Sequence, residues 1–125
     1  MASTDTPKKI LYVDDEETLR VLVKSQLMSE GYEVQVAEDG DVAVETLSRS
    51  PQDLVLLDIR MPRMSGVAVL EALKKKNIKP RIIMLTAVDD LSVAIQCVKL
   101  GANDYLTKPF DLEHLLAAIK RVLAR

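Results

Sequence analysis

Three carboxylates, a hydroxyl and an ammonium stand at the ends of short apolar runs in this 125-residue chain. Residues 10–13 run into Asp14 and Asp15, and residues 54–57 into Asp58. Residues 82–85 run into Thr86, and residues 104–106 pass through Thr107 into Lys108 and Pro109. In an open parallel α/β sheet, ligand sites form outside the carboxyl ends of the strands. If the four runs are neighbouring strands, these side chains meet in one cleft. Three carboxylates held together cannot all ionise cheaply, because like charges raise at least one pKa. A hard divalent ion resolves the conflict. Mg²⁺ takes a few carboxylate oxygens, keeps several waters and readily accepts a phosphate oxygen. Asp58 can then attack a phosphoryl group and form an acyl phosphate. Lys108 offers a point charge, and Thr86 a hydroxyl donor, to the phosphoryl oxygens. The chemistry is phosphoryl transfer by positioning and electrostatics.

The elements that must place these groups follow from the hydrophobic period. Residues 8–13 read as a buried strand. A helix is predicted over 16–30, with Leu19, Leu22, Val23 and Leu27 on one face and Gly31 ending it. Strands follow over 33–37 and 53–57, separated by a short helix over 41–49. The unbroken apolar character of residues 54–57 fits a strand buried on both faces of a parallel sheet. Ser65 is a suitable N-cap for a helix reaching Lys76. A fourth strand over 81–85, a helix over 89–100 ended by Gly101, and a short strand over 103–106 complete the alternation. Asp111 caps a last helix, whose Leu112, Leu115, Leu116, Ile119, Val122 and Leu123 keep i, i+3, i+4, i+7 spacing. Five βα units in a row imply a parallel sheet with helices on both faces. The flavodoxin-like order 2-1-3-4-5 is the natural solution, and its switch point lies between the first and third strands. Residues 1–7 read as a loose tail and residues 8–125 as one domain.

Composition narrows the function classes. The formal charge of −2 predicts neither nucleic-acid nor membrane affinity. With no Trp, one Phe and three Tyr, the chain lacks a stacking platform for single strands. No apolar stretch approaches the roughly 20 residues that span a bilayer. Cys97 is the single cysteine, so no internal disulfide forms and a cytoplasmic setting is expected.

The motif residues, taken with the stretches from Asp58 to Gly66 (Asp-Ile-Arg-Met-Pro-Arg-Met-Ser-Gly) and from Gly101 to Phe110 (Gly-Ala-Asn-Asp-Tyr-Leu-Thr-Lys-Pro-Phe), resemble the receiver domain of bacterial two-component response regulators. The resemblance covers about residues 8 to 124. It implies that Asp58 is the phosphoacceptor, served by a sensor histidine kinase or a histidine phosphotransfer protein. It implies Mg²⁺ as cofactor, with Mn²⁺ able to substitute. The metal is then held by Asp15, Asp58 and the backbone carbonyl of Arg60, with Asp14 mainly holding metal waters. Thr86 is implied to swing toward the phosphoryl group and Tyr105 to follow it inward. Lys108 is implied to pair with the phosphoryl group, across a cis bond to Pro109. Output is implied through the face of the fourth helix, fifth strand and fifth helix, onto a downstream protein or an output domain. Arg60 and Val88 depart from the commoner family choices, and slow hydrolysis of the acyl phosphate is expected from them.

Other residues have structural readings. Asp14 with Glu17 can be a helix N-cap pair, and Asp89 and Asp90 look like helix caps. His114 reads as a helix-surface residue and Cys97 as helix packing. Leu91, Ile95, Met61 and Met64 read as mostly core or loop packing. Lys74, Lys75, Lys76, Lys79 and Arg81 read as a solvated cationic helix end. Kinase docking is expected on the first helix, around Glu16 and Leu19. Two other functions use similar residues. A haloacid-dehalogenase-like phosphatase needs Asp-x-Asp-x-Thr on the first strand, and residues 14–18 give Asp-x-Glu-x-Thr. A receiver-like module that signals by binding without phosphorylation has no need of the intact acids.

Overall fold

The apolar runs form five parallel strands: β1 (Lys9–Val13), β2 (Glu33–Ala37), β3 (Leu54–Asp58), β4 (Arg81–Thr86) and β5 (Asp104–Thr107). Between and after them come α1 (Glu17–Ser29), α2 (Gly40–Arg49), α3 (Gly66–Lys75), α4 (Leu91–Lys99) and α5 (Leu112–Leu123). The computed structural model describes residues 6–125. The expected tail therefore falls mostly outside the described residues, and Thr6 and Pro7 belong to neither strand nor helix. The sheet order is β2-β1-β3-β4-β5, as the alternation implied.

Strand alternation divides the core in two. Leu11, Val13, Val55, Leu57, Ile82 and Met84 face α2, α3 and α4. Ile10, Tyr12, Leu54, Leu56, Ile83 and Leu85 face α1 and α5. Successive side chains point to opposite faces, so a strand covered on both sides is apolar throughout. α5 buries Leu115, Ala118, Ile119 and Val122. α4 meets the core differently: its fully buried residues are Ala94 and Cys97. Among the described helices it is the one whose buried residues are all small.

Local signals set several helix ends. Ser65 Oγ accepts from Ala68 N at 3.2 Å, and Asp111 Oδ1 accepts from His114 N at 2.8 Å. Both are N-caps that satisfy an otherwise orphaned first-turn amide. α2 begins one residue earlier than expected, because Asp39 caps it through Val42 N. Gly31 (φ +95°) and Gly101 (φ +121°) follow α1 and α4 in left-handed backbone that side chains disfavour.

The structure departs from five of these readings. Asp14 does not cap α1. Glu16 holds the N-cap position without a side-chain bond, and Asp14 is drawn into longer-range contacts. The helix expected from residue 89 starts at Leu91, after a 3₁₀ turn over Val88–Asp90. Asp90 makes no side-chain cap, because its carboxylate is taken by Arg60. The α1 stripe is narrower than the period suggested: Leu22 is half-exposed while Val23 and Leu27 are buried. Ile95 is likewise exposed on α4 rather than packed.

Candidate functional site

Parallel pairing brings the strand ends level. Val13 pairs with Leu57, Asp58 with Leu85, and Thr86 with Thr107. The chain leaves β1 as Asp14-Asp15, ends β3 on Asp58, and leaves β5 toward Lys108. Carboxylate oxygens of Asp14, Asp15 and Asp58 all lie within 4.8 Å of one another. Lys108 Nζ sits between two of them, donating to Asp14 Oδ2 at 2.8 Å and to Asp58 Oδ2 at 3.2 Å. The Lys108–Pro109 bond is cis. A cleft of about 190 Å³ is lined by Asp15, Asp58, Arg60, Asp90 and Lys108, with Glu16, Ile59 and Ala87.

The three acids are not equivalent. Asp14 is fully buried and nearly saturated. Its Oδ2 also accepts from the Tyr12 hydroxyl at 2.8 Å, and its Oδ1 accepts from Glu16 N at 3.0 Å. Burial pushes the Asp14 carboxyl up, yet the donors Lys108, Glu16 N and Tyr12 outweigh it and hold the group below the usual range. Asp58 is 7% exposed and has Lys108 as its hydrogen-bond donor among the described residues. Burial pushes its pKa up to about 6, with the Asp14 and Asp15 charges adding to the rise and Lys108 opposing it. Asp15 is exposed. Burial opposes the Lys108 charge, but the two acids prevail and its pKa is raised.

This donor set suits a hard cation. Oxygen ligands cluster closely, one acid is open to solvent, and the site holds more negative charge than Lys108 neutralises. Asp14 has the least spare acceptor capacity, so Asp15 and Asp58 are the better direct ligands.

Not every candidate residue lies in the cleft. Thr86 is buried at the end of β4, and its hydroxyl donates to the Ala87 carbonyl at 2.9 Å. Tyr105 stands one strand further out, 37% exposed. Val88 is exposed on the 3₁₀ turn. Two contributors escaped the sequence reading. Tyr12 lies two residues before Asp14 and therefore on the same strand face; burial, then the bond to Asp14, raises its own pKa. Asp90 binds Arg60 through two hydrogen bonds, Nη2 to Oδ1 at 2.7 Å and Nε to Oδ2 at 2.5 Å. That contact holds the Asp90 carboxyl below its ordinary range. No local pattern announced it, since the partners are thirty residues apart.

Gly66 seats α3 against the exit of β3. A Cβ there would lie 2.5 Å from the Asp58 carbonyl oxygen and 3.0 Å from Ile59 Cα. Backbone cannot yield as a flexible side chain does. Gly66→Ala is expected to cost about 1–3 kcal/mol, as overpacking commonly does. Urea denaturation measures the loss, and an unchanged midpoint would show that the strand exit gives way freely.

Comparison with known proteins agrees with this geometry. The family described as the response regulator receiver domain matches residues 10–120. The chain is 42% identical over 118 residues to the probable transcriptional regulator ycf27 of Porphyridium aerugineum, covering 94% of this chain and 49% of that protein. It is 38% identical over 118 residues to the alkaline phosphatase synthesis transcriptional regulatory protein PhoP of Bacillus subtilis, with the same coverage of each. The chain thus spans about half the length of the curated relatives it matches. Among solved structures, the Vibrio cholerae chemotaxis protein CheY4 superposes with a TM-score of 0.87 at 32% identity, covering 94% of this chain and 99% of that one. With its strand order, its cluster of acids and a family match that runs from β1 into α5, the chain belongs to the response regulator receiver domains.

Proposed function

We propose that Asp58 accepts a phosphoryl group from a phosphohistidine donor, a sensor histidine kinase or a phosphotransfer protein, and that the acyl phosphate switches the domain's output surface. The observation that carries this reading is the convergence of Asp14, Asp15 and Asp58 with Lys108 bridging two of them. An Asp58 carboxylate oxygen attacks phosphorus. The P–N bond to the donor imidazole breaks, and its electron pair stays on the ring nitrogen, which takes up a proton. Asp15, Asp58 and the Arg60 carbonyl would hold Mg²⁺, with Asp14 behind them, and the bound ion would supply charge neutralisation for the phosphoryl group. Lys108 keeps Asp58 aligned before transfer and pairs with the phosphoryl group after it.

The switch begins at Thr86. Its hydroxyl exchanges the Ala87 carbonyl for a phosphoryl oxygen, and Tyr105 turns from solvent into the space released. The result is a shift between two packings of the segment from Ala87 through α4. The face presented by α4, β5 and α5 carries exposed Ile95, Val98, Leu100 and Tyr105, which suit a downstream protein or an output domain. Arg60 lines the cleft and Val88 is exposed on the 3₁₀ turn that follows Ala87; both slow hydrolysis of the acyl phosphate. No described helix is long and apolar enough to cross a membrane. The phosphatase reading is not favoured, because the receiver family covers nearly the whole chain.

Incubation with acetyl phosphate and Mg²⁺ tests the assignment. One phosphoryl group per chain, mapped to Asp58, is the expected result. Steady turnover of small phosphomonoesters would instead support the phosphatase. Absence of label, under conditions that label a known receiver, would support the phosphorylation-independent module.

A further inference from the structure

The Arg60–Asp90 pair divides two spaces. On one side is the cleft that contains Asp58 and Lys108. On the other is an open groove of about 550 Å³ lined by Met61, Val67 and Val93, and the same two residues also line it. The pair ties the loop after β3 to the 3₁₀ turn that leads into α4. Its two halves differ: the Arg60 side chain is 77% exposed and that of Asp90 5% exposed. Asp90 carries no second salt-bridge partner among the described residues. Arg60 and Lys108 are the two cations lining the cleft among the described residues, and Lys108 is already engaged by Asp14 and Asp58.

A phosphoryl group on Asp58 brings further negative charge into this cleft. A guanidinium matches phosphoryl oxygens with the same two-pronged geometry it uses on a carboxylate. Asp90 and the phosphoryl group therefore compete for one fork. If Arg60 turns to the phosphoryl group, a buried carboxylate is left without its cation, which is strongly unfavourable. Relief requires Asp90 to reach water, and Asp90 is the residue that immediately precedes α4.

We infer that Arg60–Asp90 is a latch on the first turn of α4, opened when Arg60 exchanges the Asp90 carboxylate for the phosphoryl group. The inference rests on Asp58 being the phosphoacceptor. It makes Arg60 a residue that touches the phosphoryl group, and Asp90 a positioning residue that restrains Arg60 in the resting state.

Cys97 is a built-in reporter, because it is the only thiol and is fully buried beneath α4. Its alkylation rate reads how often α4 lifts. In the unphosphorylated full chain, both Asp90→Asn and Arg60→Gln are expected to raise that rate about five-fold or more. The rate of labelling by acetyl phosphate with Mg²⁺ separates a latch from simple loosening. Asp90→Asn frees Arg60 and removes a competing charge, so labelling accelerates. Arg60→Gln removes the fork, so labelling slows. Each change is expected to be roughly two- to five-fold, the scale of one partly exposed ion contact. Changes of the same sign, or wild-type Cys97 reactivity in both variants, would overturn the latch while leaving Asp58 labelling intact. Absence of label on the unmodified chain would overturn the acceptor assignment, and the exchange with it.

Discussion

Asp58→Asn is expected to abolish phosphoryl labelling and, in the absence of divalent cation, to make the domain more stable. The first effect follows from loss of the attacking carboxylate. The second follows from its surroundings. Burial, aided by Asp14 and Asp15, pushes the Asp58 carboxyl up to about 6, above the value of about 4 for an unfolded chain. Because the folded pKa is the higher one, folding is favoured by the protonated group. That contribution is fully present below about pH 4 and is lost as pH rises through about 6. Near neutral pH the ionised carboxylate costs on the order of 2 kcal/mol, and an amide of the same shape escapes that cost. Chelator-treated wild type and variant should differ most near neutral pH and converge below about pH 4. Added Mg²⁺ should stabilise the wild type more than the variant. A variant that is less stable than wild type at neutral pH, or that still accepts label, sinks the argument.

Lys108→Ala should act in the opposite direction on stability. Lys108 is the cation shared by Asp14 and Asp58, and it contributes to holding the Asp14 carboxyl low. Removing it leaves one fully buried carboxylate and one nearly buried carboxylate facing each other. Uncompensated buried charge of this kind costs about 3–5 kcal/mol. Divalent cation can replace the missing charge, so Mg²⁺ should recover more stability in the variant than in the wild type. Some labelling at Asp58 should persist, because the nucleophile and direct metal ligands remain. The downstream response should be uncoupled, and Cys97 reactivity should no longer follow the phosphorylation state. Denaturation with and without Mg²⁺ measures the first claim. A loss below about 1 kcal/mol, typical of surface pairs, would show that Lys108 is a bystander.

Sequence reasoning reached the sheet because both faces of every inner strand are covered, which writes itself as unbroken apolar runs. It reached Ser65 and Asp111 because an N-cap bonds an amide only three residues away. It failed where a short acidic side chain had a better partner far along the chain. Asp14 looks like a cap beside Glu17, yet Lys108 and Tyr12 claim it. Asp90 looks like a cap for α4, yet Arg60 claims it, and the helix starts two residues late. Helical period also overstated burial at Leu22 and Ile95, because a stripe of apolar residues is wider than the part of it that meets the sheet. Tyr12 was available from strand alternation alone, since residues two apart share a face.

The two small residues under α4 set how far a signal can travel. Every other described helix presses at least one large side chain into the sheet, so displacing it would empty a sizeable hole. α4 fully buries only Ala94 and Cys97, with Val93 partly packed beside them, so sliding it forfeits less apolar contact than displacing another helix would. On the latch inferred above, the Arg60–Asp90 pair just ahead of the first turn of α4 holds it in place, and a phosphoryl group can compete for that pair. A chain whose α4 pressed leucines into hollows shaped for them in the sheet would hold that helix more firmly. Such a chain would still take up phosphate at Asp58 and hold it, but the event would stay local, recorded at the strand ends and unread on the surface.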